Sequence, residues 1–359
     1  MEKVDKGIPS QTFWSGRKVL LTGHTGFKGI WMSHWLKFLG AEVMGLSYSG
    51  YESTVLCKPP SLVMAEIDHD ILSRGWQEKV VDFAPEIVFH LAAQSLVYSG
   101  FLNPVKTFET NTVGSLHVLE LLEKVPSIKT VVITTTDKVY KINRGDKPRV
   151  ESDPIGGSDP YSASKGTVEL MAHAWPLGST QKIFTVRSGN VIGGGDASPK
   201  RLLPDLVRAW KVDQPVTLRS PFGIRPWLHV LEPIRGYLVL AERANQLPLS
   251  REAFNFAPST NDHVNVGSIA DRAYNVLPKR GDFNVIQSST EEFPETLELL
   301  LDASKARDLL DWKPVWTWKT AVDRTLEWYV DFYDGKNPES LFQRDLEAHI
   351  TDFENGSRL

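Results

Sequence analysis

Residues 18–29 read Lys-Val-Leu-Leu-Thr-Gly-His-Thr-Gly-Phe-Lys-Gly, an apolar run followed by three glycines in the spacing GxxGxxG. The run 18–22 is typical of a buried β-strand, and apolar side chains then recur at near-helical spacing as far as Leu39. Glycines between a strand and a helix let backbone N–H groups approach a pyrophosphate, which the helix dipole also attracts. This context favours a dinucleotide site over a glycine loop without a ligand. The predicted contacts are Gly23, Thr25, Gly26, Phe27, Lys28 and Gly29.

Strand-like and helix-like segments alternate through the first half of the chain. The further strand-like runs are 42–47, 86–91, 129–135 and 182–187, and the helical patterns are 112–124 and 161–175. Short buried strands separated by helices form βαβ units in a parallel sheet that is covered on both faces. The sequence therefore predicts an α/β fold, a doubly wound parallel sheet of the Rossmann type.

The pattern loosens after Gly189, where glycines and prolines become frequent. The helical patterns in this part are 201–211, 228–243, 302–310 and 318–333, whereas the last twenty residues fit either an added helix or a loose tail. We predict a dinucleotide-binding domain over residues 1–187, rejoined by about 228–258. A smaller, mostly C-terminal domain of residues 188–227 and 259–359 would bind the substrate, in the cleft between the two.

Composition excludes several classes of protein. With 359 residues, 41% hydrophobic and 23% charged, the chain has ample material for a core, and its net charge of −4 argues against nucleic-acid binding. Cys57 is the one cysteine, which excludes an intrachain disulfide and a cysteine metal cluster and suits a reducing compartment. The chain lacks a signal-peptide pattern and an apolar run of membrane-spanning length. We expect a cytoplasmic protein without a metal site or a membrane span.

A second motif, Tyr161-Ser-Ala-Ser-Lys165, lies at the start of a predicted helix. Residues i and i+4 share a helix face, so the phenol and the ammonium can meet. A nearby ammonium favours the phenolate, which suits Tyr161 to general-base chemistry. Alone, this spacing is as compatible with a surface pair, but it follows a strand end, where open α/β sheets bind their ligands.

That strand end is the third motif, where Thr136, Asp137 and Lys138 are consecutive. A hydroxyl, a carboxyl and an amine leaving a buried strand can supply a hydrogen bond, an acid and a base. A lysine acts as a base only when neutral, so this role for Lys138 requires burial or a neighbouring cation such as Lys165. The alternative is a solvated acid–amine pair.

The choice between NAD and NADP is open at this level. The end of the second strand, where a dinucleotide site usually has an acid, has Ser47 and Tyr48 instead. Lys28 in the glycine loop is able to favour an extra phosphate. Asp68 or Asp70, after the third strand, is a candidate for contacting adenine, although both are equally suited to a solvated loop.

Together these features resemble the extended short-chain dehydrogenase/reductase superfamily. The glycine triplet, the strand end 90–94, Thr110-Asn111, Thr136 and the Tyr161/Lys165 pair occur in that family's order. The resemblance narrows to the nucleotide-sugar 4,6-dehydratases that act on CDP-glucose and extends over about residues 14–329. It is carried by the strings 23–29 (GHTGFKG), 137–138 (DK), 187–196 (RSGNVIGGGD) and 224–233 (IRPWLHVLEP). Most other nucleotide-sugar dehydratases have Glu where this chain has Lys138.

The resemblance implies an NAD-dependent lyase that converts CDP-glucose to CDP-4-keto-6-deoxyglucose. Tyr161, Lys165 and Thr136 would oxidise C4, Lys138 would remove the C5 proton, and Asp137 would protonate the departing 6-hydroxyl. Further cofactor contacts would be Ser47, Asp68, Leu91, Ala92 and Ala93, and substrate contacts would be Gln94, Asn190, Arg201 and Arg225. It also implies a homodimer through a four-helix bundle, to which each subunit gives the Tyr161 helix and the helix at 112–124.

Two other functions stay open. An epimerase, a reductase or another 4,6-dehydratase of the same fold would act on a different nucleotide hexose, but a 4-epimerase has no need of the Asp137-Lys138 pair. A non-catalytic dinucleotide-binding regulator would have no need of Thr136, Tyr161 and Lys165.

Overall fold

A computed structural model describes residues 7–50, 55–57, 62–141, 147–218, 220–259, 262–279, 281–287 and 298–357. The strands are β1 (Lys18–Thr22), β2 (Glu42–Ser47), β3 (Ala65–Asp68), β4 (Ile87–His90), β5 (Thr130–Thr134), β6 (Lys182–Ser188), β7 (Val191–Ile192), β8 (Val216–Leu218), β9 (Ile224–Arg225), β10 (Leu228–His229), β11 (Arg251–Phe256), β12 (Val264–Asn265) and β13 (Val285–Gln287).

The α-helices occur before, between and after these strands. They are α1 (Gln11–Trp14), α2 (Phe27–Phe38), α3 (Trp76–Phe83), α4 (Val97–Leu102), α5 (Pro104–Phe108), α6 (Gly114–Leu119), α7 (Leu121–Lys124), α8 (Pro160–Ala174), α9 (Leu202–Lys211), α10 (Leu231–Arg243), α11 (Val266–Val276), α12 (Ser304–Leu310), α13 (Trp318–Tyr333) and α14 (Pro338–Ser357). A π-helix, Glu109–Val113, links α5 to α6, and 3₁₀ turns lie at Asp137–Val139 and Ala244–Gln246.

Seven parallel strands form the central sheet in the order β11-β6-β5-β4-β1-β2-β3. Successive side chains of a strand point to opposite faces, so Val19 and Leu21 of β1 join one core layer and Leu20 joins the other. Because both faces are covered, the strands read as continuous apolar runs. The predicted Rossmann-type parallel sheet is confirmed.

After β6 the chain leaves the sheet and then returns to it. The segment that leaves carries β7 to β10 and α9, and α10 leads back to β11, which pairs with β6 along its whole length. Three two-stranded sheets, β7–β10, β9–β12 and β8–β13, lie outside the central sheet. Where the two predicted domains divide is still a prediction, because one apolar core layer continues from α2 and α10 into α13 and α14.

The C-terminal residues are a helix rather than a loose tail. Phe342 of α14 packs edge-on against Trp31, with ring centroids 4.7 Å apart, and stacks on His34 at 4.6 Å. Helix α14 thereby covers the outer face of α2, the helix that follows the glycine loop. None of the helices in the described part is long and apolar enough to cross a membrane.

Two predicted helices differ in their bounds. Residues 228–243 begin as a strand, because the Leu228 N–H donates to the Asn190 carbonyl (3.0 Å) and β10 pairs with β7 before α10 begins. The segment predicted at 112–124 starts much earlier, with Pro104 in the first turn of α5, where proline's fixed φ suits a helix start.

Candidate active site

A cavity of about 1630 Å³ opens at the carboxyl ends of the central strands. Pockets that bind one small ligand usually measure roughly 300–1,000 Å³, so this cavity has room for a dinucleotide and a second ligand together. Its wall includes the glycine loop, the ends of β4, β5 and β6, the start of α8 and the residues around Arg201 and Arg225. This is the edge at which open α/β sheets bind their ligands.

The glycine loop is closely packed at two of its three glycines. Gly23 has a φ of +73°, and a Cβ there would lie 2.7 Å from the Ala92 nitrogen. A Cβ on Gly29 would lie 2.0 Å from the Gly23 carbonyl oxygen. A side chain at either position would therefore push the loop away from β4 or from α2. The glycines allow the loop backbone to pack closely, and the N-terminal end of α2 faces the cavity.

His24 fastens the loop to the second and third strands. Its Nδ1 lies 2.9 Å from the Ser47 Oγ and its Nε2 lies 3.1 Å from Glu66, while the Thr25 N–H donates to the same Ser47 oxygen at 3.2 Å. Burial lowers the pKa of His24, so the ring is neutral at physiological pH. Ser47 thus lies on the cavity wall, as predicted for a cofactor contact, with its hydroxyl engaged by the loop.

The carboxylate of Asp68, one of the predicted cofactor residues, lies in the turn after β2. Its carboxylate is exposed and accepts from the backbone N–H (2.8 Å) and the hydroxyl (2.6 Å) of Ser49, and it does not line the cavity. Asp70, the alternative from the sequence, does line it, and its Oδ1 accepts from the Leu72 N–H at 2.9 Å. The side chain of Asp68 shapes the turn after β2 instead.

Buried hydrogen bonds hold the end of β4 in place. His90 bridges the Thr22 hydroxyl (2.7 Å) and the Ser115 hydroxyl (2.8 Å), and burial, aided by the charge of Lys165, lowers its pKa to about 3. The Ala92 N–H donates to the same Thr22 hydroxyl at 3.2 Å. Leu91, Ala92 and Ala93, the predicted cofactor contacts, follow directly and line the cavity beside the glycine loop.

Gln94 lines the cavity, but its amide is already engaged. The Nε2 donates to the Thr107 hydroxyl (2.9 Å) and the Oε1 accepts from the Leu96 N–H (2.5 Å). Its backbone exchanges two hydrogen bonds with the Asn111 side chain, which also donates to Ser164. These bonds indicate that Gln94 shapes the loop above the site and ties it to α8.

Thr136, Asp137 and Lys138 turn into the cavity after β5. The Thr136 hydroxyl donates to Asp137 Oδ1 (3.0 Å) and accepts from the Lys138 N–H (3.3 Å), which caps the short 3₁₀ turn. Asp137 is 2% exposed, and its second oxygen has no hydrogen-bond partner among the described residues. Burial raises the pKa of Asp137 against the opposing effects of Lys138, Thr136 and Arg225. The carboxyl is thus suited to holding a proton.

Tyr161 and Lys165 share the inner face of α8, whose start is capped by Asp159. Burial raises the pKa of Tyr161 to about 12, opposed by the Thr136 hydroxyl and the charge of Arg201. The Lys165 Nζ donates to the Thr134 carbonyl at 2.8 Å, and burial lowers the pKa of Lys165 to about 8. Both side chains line the cavity next to the Asp137 turn. The structure therefore brings all five predicted catalytic side chains into one wall.

A buried ion pair supports this wall from behind. Glu169, one turn after Lys165, makes a two-pronged contact with Arg187 (both 2.9 Å) and accepts from the hydroxyls of Thr135 and Thr185. Arg187 also donates to the Tyr140 hydroxyl at 2.7 Å. The pair thus joins α8, β5 and β6 directly behind the site.

We expect Arg187→Met to lower the free energy of unfolding by about 3–5 kcal/mol, because it leaves the Glu169 carboxylate buried without its counter-charge. Arg272→Met is the matched control, since it removes a half-exposed pair with Asp323 and should cost about 1 kcal/mol or less. Urea denaturation of both variants measures the difference. Equal losses in the two variants would contradict the structural role of the buried pair.

Three further predicted substrate residues line the cavity from the segment that follows β6. Arg201 precedes α9 and contacts Asp196 at 3.2 Å, whereas Arg225 is almost fully buried and its Nη1 donates to the Ile224 carbonyl at 2.8 Å. Asn190 follows β6, and its carbonyl accepts from Leu228. Trp227, which the sequence favours as a packing residue, is buried but also reaches the cavity.

The amino group of Lys28 points in a direction that the sequence did not predict. Its Nζ donates to the Ser188 Oγ at the end of β6 (3.0 Å) and lies 3.4 Å from the Tyr237 hydroxyl on α10. Strand β6 is four positions from β2 in the sheet, or about 19 Å at the usual strand spacing. Lys28 is therefore directed away from Ser47, and it is not placed to select the extra phosphate of NADP.

Residues 19–267 match the family described as the NAD dependent epimerase/dehydratase family. A CDP-glucose 4,6-dehydratase from Salmonella typhimurium is 37% identical, over 95% of this chain and 98% of that protein. The chain belongs to this family. A dTDP-glucose 4,6-dehydratase from Neisseria meningitidis serogroup B is 27% identical, over 88% of this chain and 94% of that protein.

Solved structures share the fold of this chain. An epimerase from Methanothermobacter thermautotrophicus superposes with a TM-score of 0.78 at 24% identity, over 90% of this chain and 95% of that one. A dTDP-glucose 4,6-dehydratase from Bacillus anthracis, solved in complex with NAD, superposes with a TM-score of 0.74 at 20% identity, over 90% and 100% of the two chains.

The residues that line the cavity fit NAD, the cofactor named in the description of this family. The glycine loop has the shape of a cradle that a Cβ on Gly23 or Gly29 would fill, and the start of α2 is open to the cavity. Ser47 would lie toward the adenosine half of the cofactor, the glycine loop at its diphosphate, and Tyr161 with Lys165 toward its nicotinamide half. Among the described residues no cluster of three His, Cys, Asp or Glu side chains is arranged to hold a metal ion.

Sequence reasoning missed Ser188, Tyr237 and Glu169 as partners of site residues. Ser188 lies within a string that carried the resemblance, but nothing local in the sequence links it to Lys28, which lies 160 residues away. The sequence pattern places Tyr237 on the apolar face of α10, where it is expected only to pack. Glu169 had a usable signal, since it lies four residues after Lys165 on the same face of α8.

Proposed function

We propose that this chain is an NAD-dependent 4,6-dehydratase that converts CDP-glucose to CDP-4-keto-6-deoxyglucose, a lyase reaction. The observation that carries the proposal is one cavity wall in which Thr136, Tyr161 and Lys165 adjoin the acid–amine pair Asp137 and Lys138. The first three suit oxidation at C4, and the pair suits the removal of water across C5 and C6. The 37% identical relative is itself a CDP-glucose 4,6-dehydratase.

In the proposed reaction Tyr161 accepts the proton of the glucose 4-hydroxyl. The oxidised cofactor, when bound, supplies a hydride acceptor for C4, a positive charge that favours the Tyr161 phenolate, and later the same hydride for C6. The Thr136 hydroxyl supports the phenolate by opposing the rise in the pKa of Tyr161 that burial causes. Lys165, one turn along α8, contributes a positive charge on the same face.

The new 4-ketone acidifies the proton on C5, which Lys138 removes. Asp137 then donates its proton to the departing 6-hydroxyl, and that oxygen leaves as water. The raised pKa of the buried Asp137 supports this role, because a carboxyl that resists ionisation retains a proton to donate. Once C6 is reduced, C5 regains a proton from Lys138. The proton that Tyr161 took from the 4-hydroxyl replaces the one that Asp137 lost to water, so each group returns to its starting state.

Charge supports a nucleoside diphosphate as substrate. Its two negative charges require cations and amide donors, and Arg201, Arg225 and Asn190 line the cavity. Arg201 is about one-third exposed, so it is accessible to an incoming phosphate. A second function, dehydration of another nucleotide glucose, is favoured only by the dTDP-glucose relatives at lower identity.

The test is to incubate the chain and NAD⁺ with CDP-, dTDP-, GDP- and UDP-glucose. A 4-keto-6-deoxy sugar is read from its absorbance in alkali. We expect product from CDP-glucose, with CDP the strongest competing nucleotide. Stoichiometric release of NADH without that product would instead indicate a simple dehydrogenase, and the absence of any turnover would favour a regulator.

The proposal includes a homodimer and a cytoplasmic location. The free Cys57 suits the reducing conditions of the cytoplasm. Helices α5 and α8 pack together, and the surface they share with the neighbouring turns is unusually apolar. Its exposed side chains are Phe101, Leu102, Val105, Phe108, Val113 and Leu170. Two helices from each subunit would cover this surface as a four-helix bundle, with residues 97–113 contributing more of it than the predicted 112–124.

We expect Leu170→Glu to convert the dimer to a monomer, because it places a charge at the centre of a buried apolar interface. Leu170 is 63% exposed in the single chain. Leu309→Glu, on an exposed face of α12, is the matched control and should stay dimeric. Size-exclusion chromatography with light scattering measures both masses. A Leu170→Glu chain that runs as a dimer would place the interface elsewhere.

A further inference from the structure

A lysine and a tyrosine meet at the mouth of the cavity. The Nζ of Lys200 lies 5.4 Å from the centroid of the Tyr98 ring, which is within the range of a cation–π contact. Both residues line the cavity, where Lys200 is exposed and Tyr98 is half-buried. The contact therefore lies at the boundary between the cavity and solvent. Neither residue has a part in the reaction proposed above.

Tyr98 belongs to α4, which packs directly against the start of α8. A Cβ added to Gly100 would lie 3.2 Å from the nitrogen and 3.3 Å from the Cβ of Tyr161, so the two backbones are in close contact. The start of α8 therefore restricts the movement of α4. The Tyr98 ring is thus held in place through the helix that carries the proposed general base.

Lys200 belongs to a loop that precedes α9 and is braced at several atoms. The buried Asp196 accepts from the N–H (2.9 Å) and the hydroxyl (2.6 Å) of Ser198, and Arg208 donates to the Ser198 carbonyl at 3.2 Å. Lys200 itself has a φ of +60°, a left-handed conformation that is uncommon for residues other than glycine. The loop therefore fixes the direction in which the lysine leaves the backbone. The next residue, Arg201, is one of the proposed substrate contacts.

The contact thus joins the helix next to the proposed general base to the loop next to a proposed substrate contact. When it is closed, it narrows the opening through which a bound sugar could leave. Its strength suits a reversible closure, because a cation–π contact at an exposed site shifts an equilibrium by only about two- to fivefold. The substrate can therefore still enter.

We propose that Tyr98 and Lys200 form a clasp that retains the oxidised sugar until the hydride returns to C6. The inference rests on the proposed function, in which the sugar loses a hydride and a proton at C4 and later regains the hydride at C6. A sugar that leaves after oxidation and before water loss departs as a 4-keto hexose with its 6-hydroxyl intact, and the enzyme keeps the hydride as reduced cofactor. Each escape therefore stops one active site.

The test measures the share of oxidised sugar that escapes during turnover of CDP-glucose with NAD⁺. Reduction with borodeuteride labels both ketones at C4, and mass spectrometry separates the escaped hexose from the 6-deoxy product by one oxygen atom. The reduced cofactor that is left on the enzyme, read from its absorbance, counts the same events.

We expect the escaped share to rise about threefold or more in Tyr98→Leu and in Lys200→Met, and to rise no further when the two are combined. Tyr98→Phe keeps the ring and Lys200→Arg keeps the cation, so both should behave like wild type. Lys211→Met is the matched control, because Lys211 lies 4.1 Å from the ring centroid of Tyr333 in a similar contact that does not line the cavity.

Three results would overturn the inference. The first is an unchanged escaped share in Lys200→Met, a variant that should fold because the side chain is exposed. The second is an additive effect in the double variant, which would show that the two residues act separately. The third is a higher KM with an unchanged escaped share, which would assign the pair to substrate binding. If the wild-type chain oxidised none of the nucleotide glucoses, the proposed function would fail together with this inference.

Discussion

We expect the Tyr161→Phe chain to turn over its proposed nucleotide-sugar substrate about a thousandfold more slowly than wild type, the scale of a lost general base. The substitution removes one oxygen from a residue buried against the Asp137 turn, and it leaves the ring and its packing in place. We expect kcat to fall and KM to stay nearly constant, because the phenol acts on the reacting hydroxyl rather than on the nucleotide. Steady-state formation of the 4-keto-6-deoxy sugar is the measurement.

Tyr333→Phe is the matched control for this experiment. Tyr333 ends α13, and it packs against Trp210 and Phe332 away from the catalytic wall. The control should keep wild-type kcat. A Tyr161→Phe enzyme that retains more than about a tenth of wild-type activity would show that another group takes the 4-hydroxyl proton.

The second large effect separates two steps of the proposed dehydration. With Lys138→Met, we expect the C5 hydrogen of the sugar to stop exchanging with solvent and product formation to fall about a hundredfold or more, because the proposed base is missing. Oxidation at C4 does not use Lys138, so reduced nicotinamide should accumulate on the enzyme. Deuterium incorporation at C5 and the absorbance of the reduced cofactor measure the two steps independently.

Asp137→Asn should give the complementary result. The amide keeps the shape of the buried carboxyl and its contact with Thr136, but it has no acidic proton for the departing hydroxyl. We expect C5 exchange to persist while water loss slows about a hundredfold or more. Since the pKa of Asp137 is raised and its acid form is the active one, wild-type turnover should decline as the pH rises through that pKa. Wild-type C5 exchange in Lys138→Met would refute the assigned base.

Local patterns predicted much of the fold because each strand and helix is encoded within a few residues. The strand before the glycine loop, the helix at 161–175 and the parallel sheet follow from periodicity and turn residues alone. The predicted ends of helices and strands were wrong where the local structure depends on residues that are distant in the sequence. The hydrogen bond from Leu228 to Asn190 holds Leu228 in a strand, and the helix predicted at 112–124 begins inside the π-helix Glu109–Val113.

The site was predictable residue by residue only where a motif carries its own geometry. The position of Tyr161 relative to Lys165 follows from helix spacing, and the glycine loop follows from sterics. The sequence did not indicate that the carboxylate of Asp68 accepts hydrogen bonds from Ser49 in the turn after β2. The direction of Lys28 depends on Ser188 and Tyr237, which reach it only after the sheet and α10 have assembled.

The way α14 covers α2 has a consequence for how the protein is made. Phe342 and the ring pair Trp31 and His34 that it covers are separated by roughly 300 residues, so this contact forms only after the chain has been synthesised as far as Phe342. Until α14 has been synthesised, the outer face of α2, the helix that follows the glycine loop, is therefore exposed to solvent. The helix that follows the glycine loop therefore gains this part of its packing only after α14 has been synthesised.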